Sequence, residues 1–165
     1  MQPPENRGST ILTLSASDPF AAALRLLART ERSSYDLADR LRKKGFDSAA
    51  IEAALERCRA FGYLDDTRFA RSRARSLVQS GRAVGGRLLA DLSRHGIDPE
   101  TAQAAFDEAR GDRDERALLS ELAERRFPEF SWLTADDRSR RRVVQYFLRR
   151  GFSLSLVLTF FQQER

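Results

Sequence analysis

The sequence predicts an all-α fold of three three-helix modules in series. Three observations carry that prediction. First, one unit is written three times: LRKKGFDSAAIEAAL at 41–55, LSRHGIDPETAQAAF at 92–106 and FLRRGFSLSLVLTFF at 147–161, anchored on Gly45, Gly96 and Gly151, about fifty residues apart. Second, each copy has the same local chemistry. An apolar residue stands four before the glycine (Leu41, Leu92, Phe147), another eight before (Leu37, Leu88, Val143) and a third ten after (Leu55, Phe106, Phe161). A cap former follows each glycine by two: Asp47, Asp98 and Ser153. The pattern is an amphipathic helix and a glycine whose left-handed conformation ends it. An Asp or Ser then accepts a hydrogen bond from a free N–H of the next helix. Third, Val, Ile and Thr are sparse and period-two alternation is missing, so no strand is expected. A period of this length implies an array of like units rather than one catalytic core. Each unit is near the size that folds only marginally alone, so packing between neighbours matters.

The elements follow in order. Residues 1–17, with Pro3, Pro4 and Gly8 and little periodicity, read as a mobile N-terminal tail in which Ile11, Leu12 and Leu14 offer apolar docking points. Module 1, residues 18–64, opens at Asp18-Pro19, an N-cap followed by proline at the first helical position. Its first helix is expected to run to about Thr30 with Leu24, Leu27 and Ala28 inward. Ser33-Ser34-Tyr35-Asp36 has capping-box spacing and starts a helix to Lys44 that buries Leu37 and Leu41. A third helix spans Ser48 to about Ala60 with Ile51, Ala54, Leu55 and Cys58 inward. Module 2, residues 65–110, opens at Asp65-Asp66. Its first helix buries Phe69, Ala70, Ala74, Leu77 and Val78 and ends at Gly81. The next holds Leu88 and Leu92 and stops at Gly96, and Asp98-Pro99 starts a helix burying Ala102, Ala105 and Phe106. Module 3, residues 111–165, has a helix over about 113–127 ended by Pro128, then an insertion at 128–134 carrying Trp132. Thr134-Ala135-Asp136-Asp137 has capping-box form before a helix reaching Arg150, and the last helix is the most apolar stretch of the chain.

The 165 residues are 41% apolar, enough for a folded core, and carry a net charge of +5 with a pI near 10.1. The excess is concentrated. Residues 67–90 hold Arg68, Arg71, Arg73, Arg75, Arg82 and Arg87 without one acid, and residues 138–163 hold Arg138, Arg140, Arg141, Arg142, Arg149 and Arg150 without one. Such windows favour a polyanion or an acidic protein surface, although any single arginine in so arginine-rich a chain is better read as a solvated helix face. Cys58 is the lone cysteine, so no internal disulfide forms and a reducing cytoplasm is the expected home. No signal peptide and no membrane span are read, so no membrane partner is expected.

No catalytic constellation, metal site or cofactor site assembles. His95, the single histidine, sits in the last turn of a helix, where a cation suits the dipole. Cys58 lies on an apolar stripe and reads as core. Residues 81–88, GRAVGGRL, imitate a phosphate-binding loop but lack its Lys and its Ser or Thr, and no strand precedes them. Asp65-Asp66 and Asp136-Asp137 read as caps, and Trp132 as packing rather than as a base-stacking platform.

The stretches RSSYDLADRLRKKGF (32–46), GYLDDTRFA (62–70), SGRAVGGRLLADLSRHGI (80–97) and VVQYFLRRGF (143–152) resemble the RecX family of recombination regulators. Ser33, Asp36 and Leu37 fill the family's Ser-x-x-acid-Leu opening, Gly62 to Asp66 with Phe69-Ala70 its junction, and Gly81 with Arg87 its next helix start. The 1–17 tail has no counterpart, and the third repeat matches weakly before Arg138. The resemblance implies an elongated, curved array that does no chemistry itself. It implies a protein that binds the RecA recombinase and its filament on single-stranded DNA, inhibiting ATP hydrolysis, strand exchange and the stimulation of repressor cleavage.

The residues expected to touch that partner, or DNA, single- or double-stranded, are Arg68, Arg71 and Arg75, then Arg82 and Arg87, then Arg138, Arg141, Arg142 and Arg149, with Lys43 and Lys44 as a weaker cluster. Ser33, Asp36, Asp65 and Asp66 are assigned to capping. A monomer is expected. The rival readings are a general nucleic-acid-binding helical repeat and a protein-interaction scaffold.

Overall fold

Caps start most of the helices where the sequence puts Asp and Ser. In the computed structural model, which describes residues 18–163, nine helices follow one another and no strand occurs among the described residues. They are α1 (Pro19–Leu27), α2 (Ser34–Lys43), α3 (Ser48–Ala60), α4 (Asp66–Ser80), α5 (Gly85–Arg94), α6 (Pro99–Arg110), α7 (Glu115–Arg126), α8 (Asp137–Leu148) and α9 (Leu154–Gln163). The expected tail, 1–17, with Ile11, Leu12 and Leu14, lies outside the described residues. Asp18, Ser33, Asp47, Asp65, Asp98, Asp114 and Asp136 each accept from a backbone N–H of the helix they precede, as Asp136 does from Ser139 at 2.8 Å. A cap of this kind is worth about 1 kcal/mol. The box read at Thr134 is displaced by two residues: Asp136 carries the bond, because α8 begins only at Asp137.

The core of the first module joins Phe20, Ala22, Ala23, Leu37, Leu41, Ile51, Ala54, Leu55, Cys58 and Leu64. All four inward positions expected of α3 are buried. The first helix differs from expectation. It stops at Leu27 with no glycine to end it, its buried residues are Phe20, Ala21, Ala22 and Ala23, Ala28 is exposed, and Leu24 and Leu27 are only half-buried. Alanines on α1 and Ala54 on α3 leave little side-chain bulk between the two helices and form the fully buried face, and Leu24 and Leu27 pack against that core only in part. From α4 onward there is one continuous core. Phe69, Leu77, Val84, Leu88 and Leu92 belong to the same cluster as Leu119, Val143, Phe147, Val157 and Phe161. The second and third modules therefore share an interior, and the first keeps its own.

The modules stack by a repeated rule: the turn between the second and third helix of one module presses on the N-terminus of the preceding module's second helix. A Cβ at Gly96 would stand 2.5 Å from the Tyr35 Cβ on α2, and one at Gly151 would collide with the Val84 carbonyl and the Arg87 Cβ at the start of α5. Gly45, with no module before it, has nothing within 4 Å. Val84 caps α5 with no side-chain bond. Its N–H instead donates to the Arg150 carbonyl at 2.8 Å, tying module 2 to module 3.

The first joint is polar. The Ser34 N–H donates to Asp66 Oδ1 at 2.6 Å. His95 Nδ1 lies 2.7 Å from Asp36 Oδ2, and since a carboxylate only accepts, Nδ1 carries the proton. The His95 ring also meets Phe69 edge-on. These contacts correct two assignments: Asp66 caps α2 of the neighbouring module rather than its own helix, and Asp36 reaches across to His95. Ser33 and Asp65 do cap, accepting from the Asp36 and Arg68 N–H groups. His95 thus joins two modules, beyond suiting a helix end. In a double-mutant cycle of Asp36→Ala and His95→Ala, urea denaturation should show a coupling of about 1 kcal/mol. A coupling under about 0.3 kcal/mol would mean that the pair does not hold the joint.

Candidate partner-binding surface

The two acid-free windows of sequence are not acid-free in space. Arg68 pairs with Glu31 of module 1 at 3.2 Å and donates to the Gly62 and Tyr63 carbonyls. Arg71 and Arg75 share Glu108 on α6, at 2.9 and 3.5 Å. Arg73 holds Asp91 on α5 through two bonds, and Lys43 pairs with Asp39 one turn back at 2.6 Å. Burial raises the Asp91 pKa, but the hydrogen bond and charge of Arg73, with His95 and Arg94, outweigh it and hold the carboxyl below the ordinary aspartate range. The stability it contributes is complete above that range and is lost as pH falls through the lowered value. The α4 arginines Arg71 and Arg75 are more than half exposed, so their ion pairs are screened and exchange readily with an external acid.

The others of the expected set carry no carboxylate partner among the described residues: Arg82, Arg87, Arg138, Arg141, Arg142, Arg149 and Lys44. Arg82 Nε approaches Ser80 Oγ and Arg141 Nε the Asp137 carbonyl, at 3.3 Å each. The close approach at Gly151 brings Arg87 beside the turn that follows Arg149 and Arg150. The two windows, far apart in sequence, therefore meet at the joint between modules 2 and 3.

Three residues beside Arg142 and Arg149, within module 3, escaped the sequence reading. A surface groove of about 320 Å³ is lined by Arg126 and Phe127 at the end of α7 and by Arg142, Tyr146 and Arg149 along α8. Beneath it Arg150 stacks on the Tyr146 ring, 3.3 Å from its centroid, and its Nη1 donates to the Tyr146 carbonyl at 2.8 Å. Burial, reinforced by the positive charges of Arg126 and Arg149, pushes the Arg150 pKa below its ordinary value. The i, i+4 spacing of Tyr146 and Arg150 is visible in sequence as a helical pair, but the arrival of Arg126 from another helix is not.

The remaining candidates are packed. Trp132 stacks nearly parallel to Phe161, 14° between planes, and Arg140 lies 5.5 Å from its ring centre while pairing with Asp137. Cys58 is buried in the first core, and that burial pushes its thiol pKa up. In the loop-like segment 81–88, a Cβ at Gly81 would meet Leu122 and Arg125, and one at Gly85 would stand 3.1 Å from the Glu115 carboxylate. An acid at that position repels a phosphate. Among the described residues no group of three or more His, Cys, Asp or Glu is placed to hold a metal, and no helix is long and apolar enough to cross a membrane.

Tandem three-helix units, stacked turn on helix, define an all-α helical-repeat protein. Residues 20–58 match the family model described as RecX, first three-helix domain, and residues 65–105 match RecX, second three-helix domain. The chain is 49% identical over 149 residues to the regulatory protein RecX of Syntrophotalea carbinolica, covering 90% of this chain and 97% of that one. It is 35% identical over 147 residues to the RecX of Trichlorobacter lovleyi, covering 89% and 96%. The crystal structure of RecX from Lactobacillus salivarius superposes with a TM-score of 0.67 at 21% identity, covering 89% of this chain and 94% of that one. The chain belongs to the RecX family of regulatory proteins.

Proposed function

We propose that this protein binds the RecA recombinase and its filament on single-stranded DNA, inhibiting ATP hydrolysis, strand exchange and coprotease stimulation, and so tempers recombinational repair and the SOS response. The observation that carries the reading is that Arg87 stands beside the turn following Arg149, and that Arg142 and Arg149 line one groove, with no carboxylate partner for any of the three among the described residues. A rod of modules divided at 18–64, 65–110 and 111–165 contacts several subunits of a polymer at once, and each added contact gains effective concentration from the last. Blocking the movement or addition of subunits then inhibits with no chemistry of the protein's own. The partner is met as a monomer in the cytoplasm, a setting consistent with the single buried thiol.

The test is RecA's DNA-dependent ATPase with this protein well below one per recombinase subunit. Suppression at that ratio is expected, and it should survive excess competitor duplex DNA. Loss of suppression with competitor would instead mark generic DNA masking. Arg141→Glu with Arg142→Glu should weaken inhibition about tenfold, or about 1.4 kcal/mol, with helical content by circular dichroism unchanged because both side chains are exposed. Undiminished inhibition would remove these two residues from the contact surface.

A further inference from the structure

We infer that the cup formed by Arg126, Phe127, Arg142, Tyr146 and Arg149 binds the phosphodiester of a single-stranded nucleic acid, the guanidinium groups holding phosphate while the Tyr146 ring receives the adjoining base. This deepens the proposed function at one place on the surface, and it stands or falls without the recombinase.

The charge pattern is the first reason. Two other arginine pairs among the described residues share a carboxylate: Arg71 and Arg75 share Glu108, and Arg73 and Arg94 share Asp91. At the cup three arginines line one groove of about 320 Å³, and none has a carboxylate within ion-pair distance among the described residues. Like charges so gathered repel one another until an anion arrives.

The second reason is that the floor is built. Tyr146 is fixed from below by Arg150 and on its edge by Phe127, 4.9 Å away at 88°, so the ring is held before any ligand binds. The buried Arg150 Nε has no hydrogen-bond partner among the described residues.

The third reason separates nucleic acid from acidic protein. An Asp or Glu side chain would satisfy one guanidinium fork and leave the ring idle. A phosphodiester brings both an anion and a base, and arginine beside an aromatic ring is the arrangement that tracks single strands. A duplex keeps its bases stacked inside and offers none to Tyr146. The cation line also continues along α8 through Arg138, Arg142 and Arg149, about 16 Å of helix at 1.5 Å per residue, which suits a chain of phosphates better than one ion.

Fluorescence anisotropy of a labelled oligothymidylate with the full-length protein, recombinase absent, tests this. Arg142→Gln with Arg149→Gln should weaken binding about tenfold and make the logarithmic salt dependence shallower by about 1.4, at about 0.7 per lost phosphate contact. Arg142→Lys with Arg149→Lys should keep the salt slope. Tyr146→Leu should weaken binding at least about fivefold with the slope unchanged. Unlabelled duplex and poly-glutamate of matched charge should compete poorly. Wild-type affinity and slope in the double Gln variant would overturn the site. Displacement by poly-glutamate as effective as by unlabelled oligothymidylate would give the cup to an acidic protein surface instead. Intact oligonucleotide binding with no effect on RecA's ATPase would sink the filament reading and leave this site standing.

Discussion

Replacing Phe147 with alanine is expected to cost about 4 kcal/mol, within the range measured for deleting a buried phenylalanine ring. Phe147 is fully buried and its ring meets those of Tyr146, Phe152, Phe161 and Phe127 at centroid distances of 5.2 to 5.9 Å. It occupies the position four before the anchoring glycine that Leu41 and Leu92 fill in the other modules, and those leucines are equally buried. Its neighbours come from α7, the α8–α9 turn and α9, so no single rotamer change refills the space. Because α4 to α9 share one core, the loss should lower the urea midpoint of modules 2 and 3 together. A cost under about 1.5 kcal/mol would show that the aromatic cluster collapses onto the gap and does not act as a packed unit.

Gly151→Ala is the second large effect, and Gly45→Ala is its control. Both glycines end a helix at positive φ, 104° and 89°, so both alanines bear the left-handed backbone penalty of about 1–2 kcal/mol. Only at Gly151 does the new methyl also run into backbone, at the Val84 carbonyl, and into the Arg87 Cβ. Overpacking of that kind adds about 1–3 kcal/mol. Gly151→Ala should therefore destabilise by about 3 kcal/mol and Gly45→Ala by about 1 kcal/mol, read by urea denaturation. Equal costs would mean that the turn does not bear on α5 and that the stacking rule fails.

The same glycines show what was legible beforehand. Their role in stopping helices is local chemistry and stands in the sequence. Their second role, admitting the next module at contact distance, depends on a surface from another part of the chain and leaves no mark in the pattern. The inward face of α3 was readable because Ile51, Ala54, Leu55 and Cys58 recur at helical spacing. The face of α1 was not, because alanine is ambiguous in a hydrophobic pattern, and Leu24 and Leu27, expected at its centre, pack only partly buried against the core. The cationic surface was half readable. Arg142 and Arg149 emerged from an acid-free window, but the partners of Arg71 and Arg75 did not, since Glu108 arrives from α6. Arg126 was missed for the mirror-image reason: it stands among acids in sequence and away from them at the cup.

The two joints of the rod differ in material. Between modules 2 and 3, rings and methyl groups are buried together. Between modules 1 and 2, short directional bonds such as Ser34 to Asp66 and Asp36 to His95 bridge two separate interiors. A load drawn along the molecule meets one ductile coupling, which yields gradually as ring slides over ring, and one brittle coupling, whose few bonds stretch and snap together. Joints in series carry the same force, so a pull on both ends parts the molecule first at the brittle one, close to its first third.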